Sequence, residues 1–181
     1  MLVVLSGLPG TGKTTIGKAL AAKRSAVYVR VDEVEHVLTH HVGLGRDLGP
    51  AGYLVAFAIA GSNLKVGNLV IGDSVNPVPE SRQGWHAVAE AAGCPVLDVE
   101  VVCSDKAEHR RRVETRAADI PGFDLPTWQQ VQAREYIPWT APRLVLDTAR
   151  LGPGDAVAEI EARIQILTKT AAVSDANPSL Q

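Results

Sequence analysis

The stretch VVLSGLPGTGKTTIGKAL, residues 3–20, takes an apolar run straight into a loop with three glycines and a proline, then into a Lys-Thr-Thr that opens a helical pattern. Within it Gly7, Leu8, Pro9, Gly10, Thr11, Gly12, Lys13 and Thr14 satisfy G-x-x-x-x-G-K-[ST] at every fixed position, and Thr15 follows. Glycines let the backbone curl so that successive N–H groups point inward, and a helix starting near Lys13 adds its positive dipole end to the same hollow. The motif therefore reads as a phosphate cradle. Lys13 would reach the β- and γ-phosphates of a nucleotide, and the Thr14 hydroxyl would hold Mg²⁺.

Outward from the loop, five short apolar runs read as strands: Leu2 to Ser6, Ala26 to Val31, Asn68 to Gly72, Pro95 to Cys103 and Arg143 to Leu146. Most are rich in valine and leucine without strict alternation, as in strands buried on both faces of a parallel sheet. Helical spacing covers Thr14 to Lys23, Glu33 to His41, Tyr53 to Val66, Glu80 to Ala92, Asp105 to Ala117, Thr127 to Tyr136 and Asp155 to Leu167. Strands alternating with helices predict an α/β fold with helices on both faces of the sheet and ligands beyond the C-terminal strand ends. The 181 residues suit one domain, residues 1–168, while the small and polar residues of 169–181 read as a flexible tail.

The formal net charge of -2 gives no general reason to expect nucleic acid or an anionic membrane as partner. No apolar run approaches a membrane span and the N-terminus shows no leader pattern, so the expected location is cytoplasmic. Cys94 and Cys103 form no CxxC pair and are expected to be buried structural thiols. His36 and His40 have the i,i+4 spacing of metal ligands, but no clear third ligand accompanies them.

A phosphate cradle alone does not separate kinases, GTPases, motor ATPases and nucleotide-binding modules. The chain has no N-K-x-D for guanine, no D-x-x-G after the third strand, no L-S-G-G-Q, and little room for the extra helical subdomain of a ring ATPase. It has instead AEHRRRVETRAAD at 107–119, on the helix after the fourth strand. With the loop and this segment the chain resembles the P-loop small-molecule kinases, the group of chloramphenicol phosphotransferase, gluconate kinase, adenylylsulfate kinase and shikimate kinase. The resemblance implies a five-stranded parallel sheet of order 2-3-1-4-5, ATP and Mg²⁺ at the loop, and an arginine-bearing lid at about 107–126. It also implies an acceptor site between the end of the second strand and that lid.

On that resemblance Asp32 orients the acceptor hydroxyl and takes its proton, Lys13, Arg112 and Arg116 bear the transferred charge, and Asp73 serves Mg²⁺ or the acceptor. Arg30, Ser74 and Asn76 line the acceptor crevice, with Glu35 and Arg46 as further polar candidates. Ordinary roles compete with each of these. Asp32 with Glu35 three residues on reads equally as a capping box, Asn76-Pro77 as a turn, and Glu108/Arg112 and Arg110/Glu114 as solvated i,i+4 ion pairs. Trp85, Trp128 and Trp139 are expected in the core or lid more than against a flat ligand. The functional expectation is an ATP- and Mg²⁺-dependent kinase acting on a hydroxyl of a small molecule. The alternative is a P-loop ATPase, a nucleotide-dependent switch or binding module acting through a protein partner.

Overall fold

In the computed structural model, which describes residues 1–45 and 47–175, each of the five apolar runs forms a strand. The strands are β1 (Leu2–Ser6), β2 (Val27–Arg30), β3 (Val70–Asp73), β4 (Val96–Val102) and β5 (Leu144–Asp147), all parallel in the order β2-β3-β1-β4-β5. Seven helices accompany them: α1 (Lys13–Arg24), α2 (Val31–His40), α3 (Ala51–Lys65), α4 (Pro79–Ala91), α5 (Lys106–Thr115), α6 (Trp128–Ala133) and α7 (Pro153–Asp175). Because side chains alternate along a strand, β1 sends Leu2 and Val4 to one face and Val3 and Leu5 to the other. Leu2 and Val4 pack with Ala56, Ala60 and Leu64 of α3 and Trp85 of α4. Val3 and Leu5 pack with Ile16 and Leu20 of α1 and with Ala156, Val157, Ile160 and Ile164 of α7. No helix among the described residues is long and apolar enough to cross a membrane.

Several boundaries differ from those expected, each for a local reason. β2 stops at Arg30 and α2 begins at once with Val31, so Asp32 lies in the first helical turn and not at the strand end. Arg30 is the N-cap, in extended conformation and without a side-chain cap bond, so Asp32 and Glu35 form no capping box. In the first turn the Asp32 carboxylate sits instead at the positive end of the helix dipole.

α5 is capped by Asp105, whose Oδ1 accepts from the Ala107 and Glu108 amides at 2.9 and 3.0 Å. It ends at Thr115; Arg116 is the C-cap, its amide still bonded to Arg112 O at 3.1 Å while its ψ is extended. α6 opens with a Thr127/Gln130 capping box and stops at Ala133, short of Tyr136. Ile137 precedes a proline, which disfavours helix there, and its amide bonds Pro77 O at 2.8 Å. α7 continues through Asp175, past the expected end at Leu167, over a stretch with alanine's high helix propensity. Arg46 and residues 176–181 lie outside the described residues. Both cysteines are half-buried rather than buried.

Candidate active site

The loops after β1, β2, β3 and β5 open on one crevice of about 1990 Å³ at the C-terminal edge of the sheet. Pro9, Gly10, Gly12, Lys13, Thr14 and Thr15 form its floor. Gly7, Leu8 and Thr11 do not line it and brace the loop from behind. Thr11 Oγ1 donates to Leu8 O at 2.9 Å, and Leu8 packs against Val113, Trp128 and Val131. Gly7 has φ +139°, and a Cβ there would lie 2.2 Å from Val101 O. Gly10 has φ +85°, and a Cβ there would lie 2.5 Å from Val113 Cγ2. Only glycine lets the cradle seat this tightly on β4 and α5. His109 of α5 completes the support, its Nε2 bonded to Pro9 O at 2.9 Å.

Lys13 is 8% exposed, and its ammonium donates to Leu8 O at 3.1 Å. Burial pulls it below the ordinary lysine range, against the attraction of Asp73 and Asp32. Thr14 Oγ1 donates to Asp73 Oδ2 at 2.8 Å, and Tyr28 OH donates to the same oxygen at 2.5 Å. Burial, and then the Asp73 charge, push the Tyr28 phenol far above its ordinary value, so it remains a donor. The donor set fits Mg²⁺: a Thr hydroxyl with its lone pairs uncommitted to protein donors, beside a carboxylate that can hold a metal-bound water. Tyr28 was not legible as part of this arrangement, since its spacing reads only as strand.

Arg112 and Arg116 both line the crevice but are differently engaged. Arg112 pairs with Glu108 at 2.7 Å and donates to Thr148 Oγ1 and Thr148 O at 2.8 and 3.0 Å. Thr148 Oγ1 donates in turn to Thr11 O at 2.8 Å, so one hydroxyl joins α5, the cradle and the loop after β5. Arg116 keeps a buried Nε with no partner, and burial lowers its pKa. Its charge acts on Lys13 and Asp32, which places it beside the phosphate end of the crevice.

The crevice is also lined by Asp32, Glu35, Tyr53 and Ser74. Asp32 has one ion pair among the described residues, to Arg30 Nη2 at 3.5 Å. Arg30 is held more closely by Asp119, at 2.8 and 2.9 Å. Asn76 does not reach the crevice: it is fully buried, accepts from Ser74 Oγ and Trp85 Nε1 at 2.8 and 3.0 Å, and donates to Ser6 Oγ at 2.8 Å. Its expected place against the acceptor is corrected to that of a hub behind the wall, because its amide is consumed internally. None of the three tryptophans lines the crevice. His36 and His40 stack at 4.3 Å, and the described residues hold no group of three metal-ligating side chains.

Burial, and then the neighbouring Asp32 charge, push Glu35 up to about 7. A raised carboxyl pKa means that the folded state holds a proton the unfolded chain releases near pH 4.3. The associated stability is fully present below that value and is lost as pH rises through about 7. Urea titrations at pH 5, 6, 7 and 8 should therefore show the wild type losing stability relative to Glu35→Gln as pH increases.

Comparisons with known proteins give a consistent fold. No curated protein matches. A candidate kinase from Chloroflexus aurantiacus superposes with a TM-score of 0.72 at 20% identity, over 92% of this chain and 96% of its own. Kti12 from Chaetomium thermophilum, solved with ADP-AlF3, gives 0.67 at 21%, over 92% and 98%. The APS kinase of Mycobacterium tuberculosis, solved with AMPPNP and APS, gives 0.65 at 22%, over 88% and 95%. The fold is thus that of the P-loop kinases, with small-molecule kinases among its structural neighbours. The AAA-domain profile matches residues 2–136, covering the cradle, the sheet through β4 and the arginine-bearing segment, and the chain belongs to that family.

Proposed function

We propose that the protein is an ATP- and Mg²⁺-dependent kinase that transfers the γ-phosphoryl group to a hydroxyl of a small molecule. The observation that carries this reading is the continuity of the crevice: the cradle at Lys13 and the carboxylate-bearing chamber at Asp32 and Glu35 share one cavity. The pairing of AMPPNP with a second small molecule in the APS kinase structure supports a bisubstrate use of this fold.

In this mechanism the cradle amides and Lys13 hold the β- and γ-phosphates, and Arg116 and Arg112 bear charge on the transferring group. Asp32 orients the acceptor hydroxyl and accepts its proton as the new O–P bond forms and the bond to the departing ADP breaks. Mg²⁺ held through Thr14 and Asp73 would offset the charge on the β- and γ-oxygens. The lid segment after Arg116 covers the site and limits transfer to water.

The test is transfer of label from γ-labelled ATP, with Mg²⁺, into pooled hydroxylated metabolites and antibiotics. Label should enter a small molecule, and Asp32→Ala should lower the rate on the order of 10²- to 10⁴-fold while nucleotide still binds. Label only in free phosphate, equal in both proteins, would support the second reading, a switch acting through a protein partner. That reading draws on exposed Leu54 and Ile59 of α3.

A further inference from the structure

The lid returns across the sheet edge at the last residue of the arginine-bearing segment, Asp119. Asp119 accepts from Lys18 Nζ of α1 at 2.6 Å and from Arg30 Nη1, at the end of β2, at 2.9 and 2.8 Å. Although partial burial pulls it upward, the bonds from Lys18 and Arg30 hold the Asp119 carboxyl down at about 2, so it is ionised at any working pH.

Arg30 is the pivot. Its side chain is 7% exposed, and its Nε is buried without a partner. Three carboxylates surround its guanidinium: Asp119 at 2.8 Å, Asp32 at 3.5 Å and Glu33 at 3.8 Å. A buried guanidinium has to be paired, and its charge goes to whichever carboxylate approaches closest. With the lid in place that partner is Asp119, and Asp32 is left with a long contact only.

We propose that Asp119 is a positioning residue that draws Arg30 off Asp32 when the lid is shut, freeing the Asp32 carboxylate to take the acceptor's proton only in the closed state. With the lid open, Arg30 turns to Asp32 and Glu33 and occupies the base. Proton acceptance is thereby tied to exclusion of water. The role of Asp32 rests on the kinase reading, but the ion-pair exchange itself does not.

The other groups acting on Asp32 come from the surrounding elements: Lys13 of the cradle, Arg116 before the lid, Glu35 of α2 and Tyr53 of α3. None of them bonds Asp119. Arg116 feels the charges of both Asp119 and Asp32, but of the groups around Asp32 only Arg30 is bonded to Asp119, so the bonded route from Asp119 to Asp32 runs through Arg30.

The experiment uses the full chain with Mg²⁺ and AMPPNP and no acceptor. In Asp119→Asn, amide exchange of residues 117–126 should quicken about tenfold, and the carboxyl ¹³C titration of Asp32 should move to lower pH by about one unit as Arg30 closes on it. Asp119→Glu should restore both. Faster exchange with no movement of Asp32 would overturn the proposal and leave Asp119 a structural tie, and unchanged exchange would overturn the latch itself. The pooled labelling experiment separates the two ideas, because absence of label in the wild type refutes the kinase while the Asp32 titration still reads the exchange.

Discussion

Replacing Lys13 with alanine should reduce phosphoryl transfer on the order of 10²- to 10³-fold while leaving the fold intact, since the lost group is a buried donor aimed at developing charge. Lys13 is 8% exposed, and its ammonium donates to Leu8 O at 3.1 Å. Lys13→Arg should not restore the rate, because the cradle closes around a compact ammonium and a planar fork needs more room. Single-turnover rates with labelled ATP, read beside a melting curve for each variant, separate lost chemistry from lost structure. Full transfer by Lys13→Ala would dissociate the cradle from the reaction.

The largest effect on stability is expected at Trp85, which lies outside the crevice. It is fully buried, meets Phe57 edge-on with ring centroids 4.8 Å apart, and lies so close to β3 that a Cβ on Gly72 would stand 2.9 Å from its ring. Its indole N–H donates to Asn76 Oδ1 at 3.0 Å. Trp85→Ala should cost about 3–5 kcal/mol and lower the melting midpoint by roughly 10 °C, the cavity and the unpaired amide oxygen acting together. Trp85→Phe keeps most of the packing and loses the donor, so it should fall between. A loss below about 1 kcal/mol for the alanine variant would mean that the α3/α4 layer collapses onto the gap.

The cradle, the five strands and the position of Asp73 were legible because each depends on neighbours in sequence: a fixed spacing of glycines and lysine, or an apolar run bounded by turns. The acceptor end was legible only in part. Asp32 was expected at a strand end, whereas the chain turns into α2 one residue after Arg30. Arg112 and Arg116 stand one turn apart at the end of α5, but what engages them, Thr148 for Arg112 and the charges of Asp32 and Asp119 for Arg116, comes from other elements. The partners of Asp119 and Thr148 were not legible, since the bonds that give them meaning join Arg30 to Asp119 and Thr11 to Thr148, residues 89 and 137 apart. Asn76 was assigned to the crevice from its place after β3. The residues that consume its amide, Ser6 and Trp85, are supplied by other elements.

The packing of α7 against α1 bears on how the protein is made. Ala156, Val157, Ile160 and Ile164 fill the same cluster as Val3, Leu5, Ile16 and Leu20, so the strand and helix that frame the cradle are covered by the last helix of the fold. A nascent chain displays the cradle sequence early, yet the apolar face beneath it stays uncovered until α7 leaves the ribosome. A chain cut before α7 would therefore keep the cradle sequence but leave the apolar face of α1 uncovered.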